Sequence, residues 1–302
     1  MAKIFIDGEA GTTGLEIREK LLATPDIELV SIPPEHRKDP GVKTEILASV
    51  DIAVLCLPDD AARETADIIT SLGDAGPRIL DASTAHRTDP AWVYGFPELE
   101  KGQAARIAAA RRVANPGCYA TGAIAILRPL VDAGLLPPDY SLSINAVSGY
   151  SGGGRQMIEA YEAHRAPLFE LYALGLGHKH LPEIVTYGRL SGPPIFVPSV
   201  GNFHEGMIVS VPLHLDRLPA QPSGADLEQV FRTHYAGADY VRVVSPTPKL
   251  DALGLNHTNL LEISVHADET KRQAVVLARL DNLGKGASGA AVQNLGLMIA
   301  GA

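Results

Sequence analysis

The chain has 302 residues, a length that fits two domains or one large α/β unit with ample core. Hydrophobic residues make up 46% and charged residues 20%, the balance of a soluble globular enzyme and not of a disordered or fibrous chain. A formal charge of −9 without long single-sign blocks argues against nucleic acid or an anionic membrane as partner, so an anionic substrate must be held by local cations and backbone dipoles.

Two cysteines, Cys56 and Cys118, make no disulfide framework, and no Cys/His spacing suits a metal. An N-terminus that enters a strand pattern at once, with apolar runs too short for a membrane span, leads us to expect a cytoplasmic protein without signal peptide or membrane segment.

Residues 3–7 read as a short apolar strand, and Gly8, Gly11 and Gly14 then open a helix over 15–22. Strand, glycine turn and helix are the setting of a dinucleotide fingerprint, although the spacing is GxxGxxG and not the commoner GxGxxG. Without side chains at these positions, backbone amides beside Thr12 and Thr13 approach a pyrophosphate at the helix start; the plainer reading is a βα turn with no ligand. After a strand over 27–32, Glu35 supplies the acid an NAD site would use, but the adjacent Arg37-Lys38 suits a 2′-phosphate, so NADP is expected.

Residues 50–57 form a buried-strand pattern with Cys56 in the core, and Pro58-Asp59-Asp60 is expected to cap a helix over 61–72. A strand over 79–83 ends near Ser83 and Arg87, candidate contacts for a phosphate or carboxylate, with a surface salt bridge as the other reading of Arg87. Residues 94–99 form a turn-rich loop. The repeated β–α alternation predicts an α/β, Rossmann-like doubly wound parallel domain.

The apolar pair Val113-Ala114 leads into the corner Pro116-Gly117, and a helix follows over 119–130. Cys118 therefore stands at a helix start, where unpaired amides and the dipole favour a thiolate and could hold an oxyanion. A free thiol with pKa about 8.5 is only a few per cent ionised at pH 7, and each unit of lowering is worth about 1.4 kcal/mol. A buried, inert thiol is the alternative.

Beyond Gly134 the texture changes to strands over 142–147, 195–200, 207–213, 260–265 and 274–280 with irregular connections. They predict an α+β substrate and dimerisation domain with a mostly antiparallel sheet and helices on one side. Helices are expected over 155–164, 181–188 and 226–235, and a closing helix over 288–299 is expected to pack back on the first domain and bring Lys285 near the cofactor. The resulting division is 1–117 with 284–302 for the nucleotide domain and 118–283 for the catalytic one.

Two polar segments stand out. Residues 148–155 make a glycine-rich loop that could cradle an anion with Arg155 at the following helix start, or else a flexible linker. His178-Lys179-His180 precedes a helix; with no cysteine or third histidine nearby it argues against zinc, and one histidine could move protons for thiol chemistry. An ordinary surface pair is the alternative.

A nicotinamide domain, a helix-start cysteine and a histidine are the equipment of a dehydrogenase that forms or oxidises aldehydes. A non-catalytic NADP-binding sensor is a rival of another class, and a cysteine acyltransferase or hydrolase would leave the glycine loop unexplained. The sequence resembles the N-acetyl-γ-glutamyl-phosphate reductase family, in its compact form, within the aspartate-semialdehyde dehydrogenase superfamily. The likeness is carried by residues 8–14, 94–99, 115–121, 148–155, 178–183 and 285–289.

The resemblance implies NADPH-dependent reduction of an N-acetyl-glutamyl 5-phosphate to the 5-semialdehyde in arginine biosynthesis, with Cys118 as nucleophile and His178 as general acid/base. It also implies supporting or substrate-binding roles for Tyr172, His180 and Glu183, and Ser83, Arg87, Asn115, Ser148 and Arg155 are further expected substrate contacts. Cofactor contacts are expected from Gly8, Gly11, Thr12, Thr13, Gly14, Arg37, Lys38, Ser83, Lys285 and Gly286, no metal is expected, and the family forms homotetramers. Lys179 stands where the family has arginine, keeping the charge without the planar fork. Aspartate-semialdehyde dehydrogenase and a reductase of carrier-bound aminoadipyl phosphate are the nearest rivals; His-x-His-x-Pro-Glu argues against the former.

Overall fold

The segment Ile4-Phe5-Ile6 lies almost wholly out of solvent and forms the centre of the first sheet of a computed structural model, which describes residues 1–22, 24–36 and 39–301. Arg37 and Lys38 lie outside the described residues. In chain order the elements are β1 (Ala2–Asp7), α1 (Thr12–Leu22), β2 (Ile27–Val30), α2 (Pro40–Leu47), β3 (Ile52–Leu55), α3 (Asp59–Ser71), β4 (Arg78–Asp81), β5 (Val93–Tyr94), α4 (Gln103–Ala109) and β6 (Arg112–Ala114). There follow α5 (Cys118–Asp132), β7 (Ser143–Gly149), α6 (Arg155–Glu162), β8 (Phe169–Leu171), α7 (Leu181–Gly188), β9 (Ile195–Gly201), β10 (Met207–His214), α8 (Gly224–His234), β11 (Val241–Val243), β12 (Leu261–Asp268), β13 (Gln273–Leu280) and α9 (Gly289–Ala300).

The chain folds as two units: Met1–Pro97, Gly102–Pro116 and Ala287–Ala302 make the first, and Glu98–Lys101 with Gly117–Gly286 the second. Residues 284–286, expected with the nucleotide domain, fall in the second. In the first unit six strands run in the order β2-β1-β3-β4-β6-β5, with parallel pairing throughout. All four residues of β3 are buried, as parallel strands covered on both faces require. One face packs Ile4, Ile6 and Val54 against Ile17 and Leu21 of α1 and Leu295 and Met298 of α9. The other packs Phe5, Ala53 and Leu55 against Leu47 of α2 and Ala62, Ala66 and Ile69 of α3.

Local chemistry sets the helix starts. Asp39 caps α2 by accepting from the amides of Gly41 and Val42 ahead of a proline in the first turn. Asp59 and Asp60 do not cap α3 as expected; they lie inside its first turn, where a negative charge suits the dipole, and Pro58 holds the cap position.

In the second unit seven strands run β11-β12-β13-β10-β7-β9-β8. The sheet is mixed, which corrects the expectation of a mostly antiparallel one: β11–β12 and β7–β9 pair in parallel among four antiparallel pairings. Direction is set by the connections. A chain that leaves β7 through α6, β8 and α7 returns to β9 from the same end.

Helix α5 packs on β10 and β13, α8 covers β11 and β12, and α7 lies on α5. Every residue of α5 from Tyr119 to Leu130 is buried, so the helix is apolar all round and runs through the core. No helix among the described residues is long and apolar enough to cross a membrane.

Gly8 is required by the turn after β1. Its φ is +91°, and a Cβ there would lie 2.3 Å from the Cys56 carbonyl oxygen. Gly8→Ala is expected to destabilise the protein by at least about 1–3 kcal/mol from backbone strain alone. Denaturant unfolding measures this, and an unchanged midpoint would show that the turn is not held in this form.

Candidate active site

The thiol of Cys118 occupies the first residue of α5, after a Gly117 cap with φ −81° and ψ 149°. The Thr121 N–H donates to the Gly117 carbonyl at 2.8 Å and begins the intrahelical ladder, so the amides of the first turn lie outside it. Gly117's own N–H donates to Glu183 Oε2 at 3.1 Å, and Glu183, at the start of α7, is buried. The carboxylate thus fixes the corner from which the Cys118 thiol projects. Gly286 closes the other side: a Cβ there would stand 2.9 Å from the Cys118 Cβ.

Four aromatic side chains lie beside this corner. Tyr119 donates its hydroxyl to the Ser199 carbonyl at 2.8 Å and meets His178 edge-on, ring centroids 5.8 Å apart. Phe196 meets His178 edge-on from another side at 5.1 Å. The Tyr172 hydroxyl lies 3.3 Å from His178 Nε2 and is hydrogen-bonded to the Tyr119 hydroxyl. The His180 N–H donates to His178 Nδ1 at 3.1 Å, so a neutral His178 ring carries its hydrogen on Nε2, toward Tyr172.

Burial, helped by the charge of nearby Cys118 and opposed by the Tyr119 hydrogen bond, pushes the Tyr172 phenol up to about 12. Burial, with Tyr172 and Cys118, also drives Tyr119 far above an ordinary phenol. Both phenols stay neutral at physiological pH, and the half-buried His178 stands beside them. Its neighbour His180 is deeper in the core.

Cys118, Tyr172, His178, His180, Glu183 and Gly286 are thus brought together within the second unit. Ser148 is buried in the same unit, donating its hydroxyl to the Gly149 carbonyl. Arg155 is exposed at the first residue of α6. Lys285 is placed differently from the expectation that it reaches the cofactor: its ammonium is fully buried and pairs with Glu98 Oε2 at 2.7 Å, over the Tyr240 ring. Burial lowers its pKa, and Glu98 opposes that.

In the first unit Gly8 and Gly14 close the turn, a Cβ on Gly14 falling 2.3 Å from the Gly8 carbonyl oxygen. Gly11, Thr12 and Thr13 then open α1, which has no acid in its first turn. This glycine turn on a buried parallel strand fits a dinucleotide pyrophosphate, with Gly8, Gly11, Thr12, Thr13 and Gly14 as the residues to hold it.

At the end of β2, Ser31 donates to Glu9 Oε2 at 2.9 Å and accepts from Arg18 Nη1 at 3.5 Å. Arg18 was missed in the sequence, where nothing marks one arginine of a helix as facing the next strand. Ser83 donates its hydroxyl to Asp81 Oδ2 and its amide to Oδ1, and His86 Nδ1 lies 2.7 Å from the same carboxylate. Arg87 donates to the carbonyls of Asn115 and Ala82. The Asn115 amide group donates to the Ala287 carbonyl and accepts from Asn294. Ser83, Arg87 and Asn115 thus order the ends of β4 and β6. Among the described residues no group of three or more His, Cys, Asp or Glu side chains could hold a metal ion.

Residues 118–282 match the family model described as semialdehyde dehydrogenase, dimerisation domain, and residues 34–107 the one described as semialdehyde dehydrogenase, NAD binding domain. The chain is 53% identical to an N-acetyl-gamma-glutamyl-phosphate reductase of Chelativorans sp. (strain BNC1), covering 99% of both chains, and 52% identical to that of Brucella ovis over 98% of both. Among solved structures it resembles aspartate semialdehyde dehydrogenase from Francisella tularensis (TM-score 0.74, 12% identity, 99% of this chain and 100% of the other). It also resembles the enzyme from Candida albicans with NADP (TM-score 0.69, 15% identity, 100% and 99%), likenesses that speak to fold alone.

The buried Lys285–Glu98 pair gives a test of the site's support. Lys285→Met leaves the Glu98 carboxylate buried without its cation and is expected to cost about 3–5 kcal/mol in denaturant unfolding, most of it regained in Lys285→Met/Glu98→Leu. A single variant as stable as the parent would refute the pairing.

Proposed function

The chain belongs to the N-acetyl-γ-glutamyl-phosphate reductase family of semialdehyde dehydrogenases, and on that premise we propose that it reduces N-acetyl-L-glutamyl 5-phosphate to N-acetyl-L-glutamate 5-semialdehyde with release of phosphate, using NADPH, in arginine biosynthesis. The observation that carries the chemistry is Cys118 at the first residue of a buried helix, in the same unit as the Tyr172–His178 pair. We take the protein to be a cytoplasmic homo-oligomer, a homotetramer by likeness to its family, whose residues 118–282 supply the subunit contacts.

The Cys118 thiolate attacks the acyl carbon, the carbon–oxygen bond to phosphate breaks, and phosphate leaves a thioester on the sulfur. The first-turn amides of α5 stabilise the oxyanion at each tetrahedral stage. NADPH supplies the hydride that reduces the thioester carbon. The Nε2–H of His178 donates a hydrogen bond to the resulting alkoxide, which collapses as the carbon–sulfur bond breaks, so that the aldehyde departs and a thiolate is left on Cys118. Tyr172 keeps the imidazole oriented, and Glu183 keeps the Gly117 corner fixed.

Gly8, Gly11, Thr12, Thr13 and Gly14 hold the pyrophosphate, and Arg18 with Ser31, at the end of β2, is our assignment for the region of the 2′-phosphate. Arg155 is retained as a candidate for the substrate's anionic groups.

The test is phosphate-dependent NADP reduction with N-acetylglutamate semialdehyde, run beside aspartate semialdehyde and beside NAD. Cys118→Ser is expected to lose at least about a thousandfold in kcat with unchanged NADPH affinity, and His178→Ala about 10²–10⁴-fold. Wild-type turnover in Cys118→Ser would end the proposal, and normal turnover in His178→Ala with loss in His180→Ala would move the proton role to His180.

A further inference from the structure

Lys285 stands between two glycines with its side chain out of solvent. The chain there makes a single wide π-helical turn, Gly284–Ser288, in which the Gly286 N–H donates to the Asp281 carbonyl at 3.0 Å. A Cβ on Gly284 would collide with the Thr258 carbonyl oxygen, and one on Gly286 would stand 2.9 Å from the Cys118 Cβ. The turn is thus packed directly against the cysteine, and its glycines have more backbone freedom to lose than any other residue. Lys285 supplies the side chain that can hold it.

The partner of that lysine is itself fixed. Lys285 Nζ lies 2.7 Å from Glu98 Oε2 and 5.5 Å from the centre of the Tyr240 ring, and the Glu98 side chain is nearly as buried as the lysine. Glu98 belongs to the short strap Glu98–Lys101, which the second unit holds at further points. The Glu98 carbonyl lies 3.3 Å from His234 Nε2 of α8. Glu100 pairs with Arg128, a buried residue of α5 that also bonds Asp132 at 2.7 Å. The contacts close on themselves: from Cys118 along α5 to Arg128, through Glu100 and Glu98 to Lys285, and through Gly286 back to Cys118.

We propose that Lys285 is a positioning residue, whose directed bond to Glu98 fixes the turn 284–288 so that Gly286 keeps the Cys118 thiol in its reactive place. The inference rests on the reading above, in which Cys118 is the nucleophile. Energetics favour position over stability as the role of the pair. Two charges lose their hydration on burial, and apolar side chains of similar volume are often as stabilising or more so, so stability does not require the pair. What an apolar pair lacks is direction. A charge-assisted hydrogen bond selects one arrangement of a glycine-rich turn, where contact between methyl groups accepts many. Small displacements matter here, since a shift of about 1 Å at a reacting group can cost about a hundredfold in rate.

The test separates direction from stability with two variants. Lys285→Met/Glu98→Leu removes both charges and keeps the volume, whereas Glu98→Gln leaves a carbonyl oxygen to accept from Lys285. The denaturant midpoint is expected to stay near wild type in the first and to fall in the second. Hydrogen exchange of residues 281–288 is expected to quicken at least about tenfold in the first and to stay within about threefold in the second. In the first, kcat is expected to fall at least about tenfold with KM and NADPH affinity unchanged, and the conservative second variant is expected to keep most of its turnover. Cys118 alkylation by iodoacetamide, which needs no substrate, is expected to slow at least about threefold in the first, because a thiol that leaves the amides of the helix start is less ionised. Cys56 stays silent in that assay because burial, then Asp81 and Asp7, push its thiol up to about 12. A role in stability alone would rank the two variants the other way.

Wild-type exchange in the apolar pair refutes the anchoring of the turn, and faster exchange with unchanged Cys118 alkylation refutes its link to the thiol. An equal loss in Glu98→Gln refutes direction as the cause. Should circular dichroism show the double variant unfolded, Glu98→Leu takes its place beside Glu98→Gln, and like exchange and alkylation in those two refute the proposal. Lack of reductase turnover in the wild type would overturn the assigned reaction alone, because exchange and alkylation do not depend on it.

Discussion

The hydrogen bond from the Gly117 amide to the buried Glu183 carboxylate is the constraint on which the second unit's chemistry depends. A carboxylate out of solvent must be satisfied by donors, and here one donor is the backbone of the residue before Cys118. The bond joins the start of α7 to the start of α5, two helices that also pack on one another. Because α5 is buried along its length, its axis is fixed by the sheet and the helices around it. A corner held at one end of such a helix leaves Cys118 little freedom except its own rotamer. Position is thereby decided by the core, and reactivity is left to the helix end.

Much of this was legible in the sequence because it depends on neighbours in the chain. Continuous apolar runs marked β3 and β4, β10 and β13 were expected close to where they lie, and Leu181–Gly188 matched its expected span because a proline and a glutamate mark its first turn. Helix α2 was missed although Asp39-Pro40 is a helix-start signal; the charged residues before it drew the reading toward a ligand loop. The short edge strands β5, β8 and β11 carry too few residues to show a period.

Partners distant in sequence left no trace at all. Lys285 was read as a cofactor contact because a lysine between glycines looks available, and its carboxylate lies 187 positions earlier. Ser83 was read as a ligand group, yet an aspartate two residues before it is the ordinary arrangement of a local turn in which the side chain accepts the later amide. The partner of Lys285 could not be seen in the sequence, whereas that of Ser83 stood two residues away and was passed over.

The two cysteines show how environment, and not residue type, sets the cost of a thiolate. Cys56 follows β3 in the interior of the first unit, and its burial beside the carboxylates of Asp81 and Asp7 raises the cost of a thiolate from every direction. Cys118 is half-buried at the positive end of a helix that runs through apolar surroundings, where the field of its amides is weakly screened. With a net charge of −9 the molecule repels anions at long range, and the cations buried in the second unit are drawn off by carboxylates: Lys285 by Glu98, Arg128 by Asp132 and Glu100. Attraction for a developing negative charge at Cys118 must then come from backbone dipoles. Those dipoles cannot move away from the sulfur while the core holds the helix, an advantage that a thiol on a loop would lack.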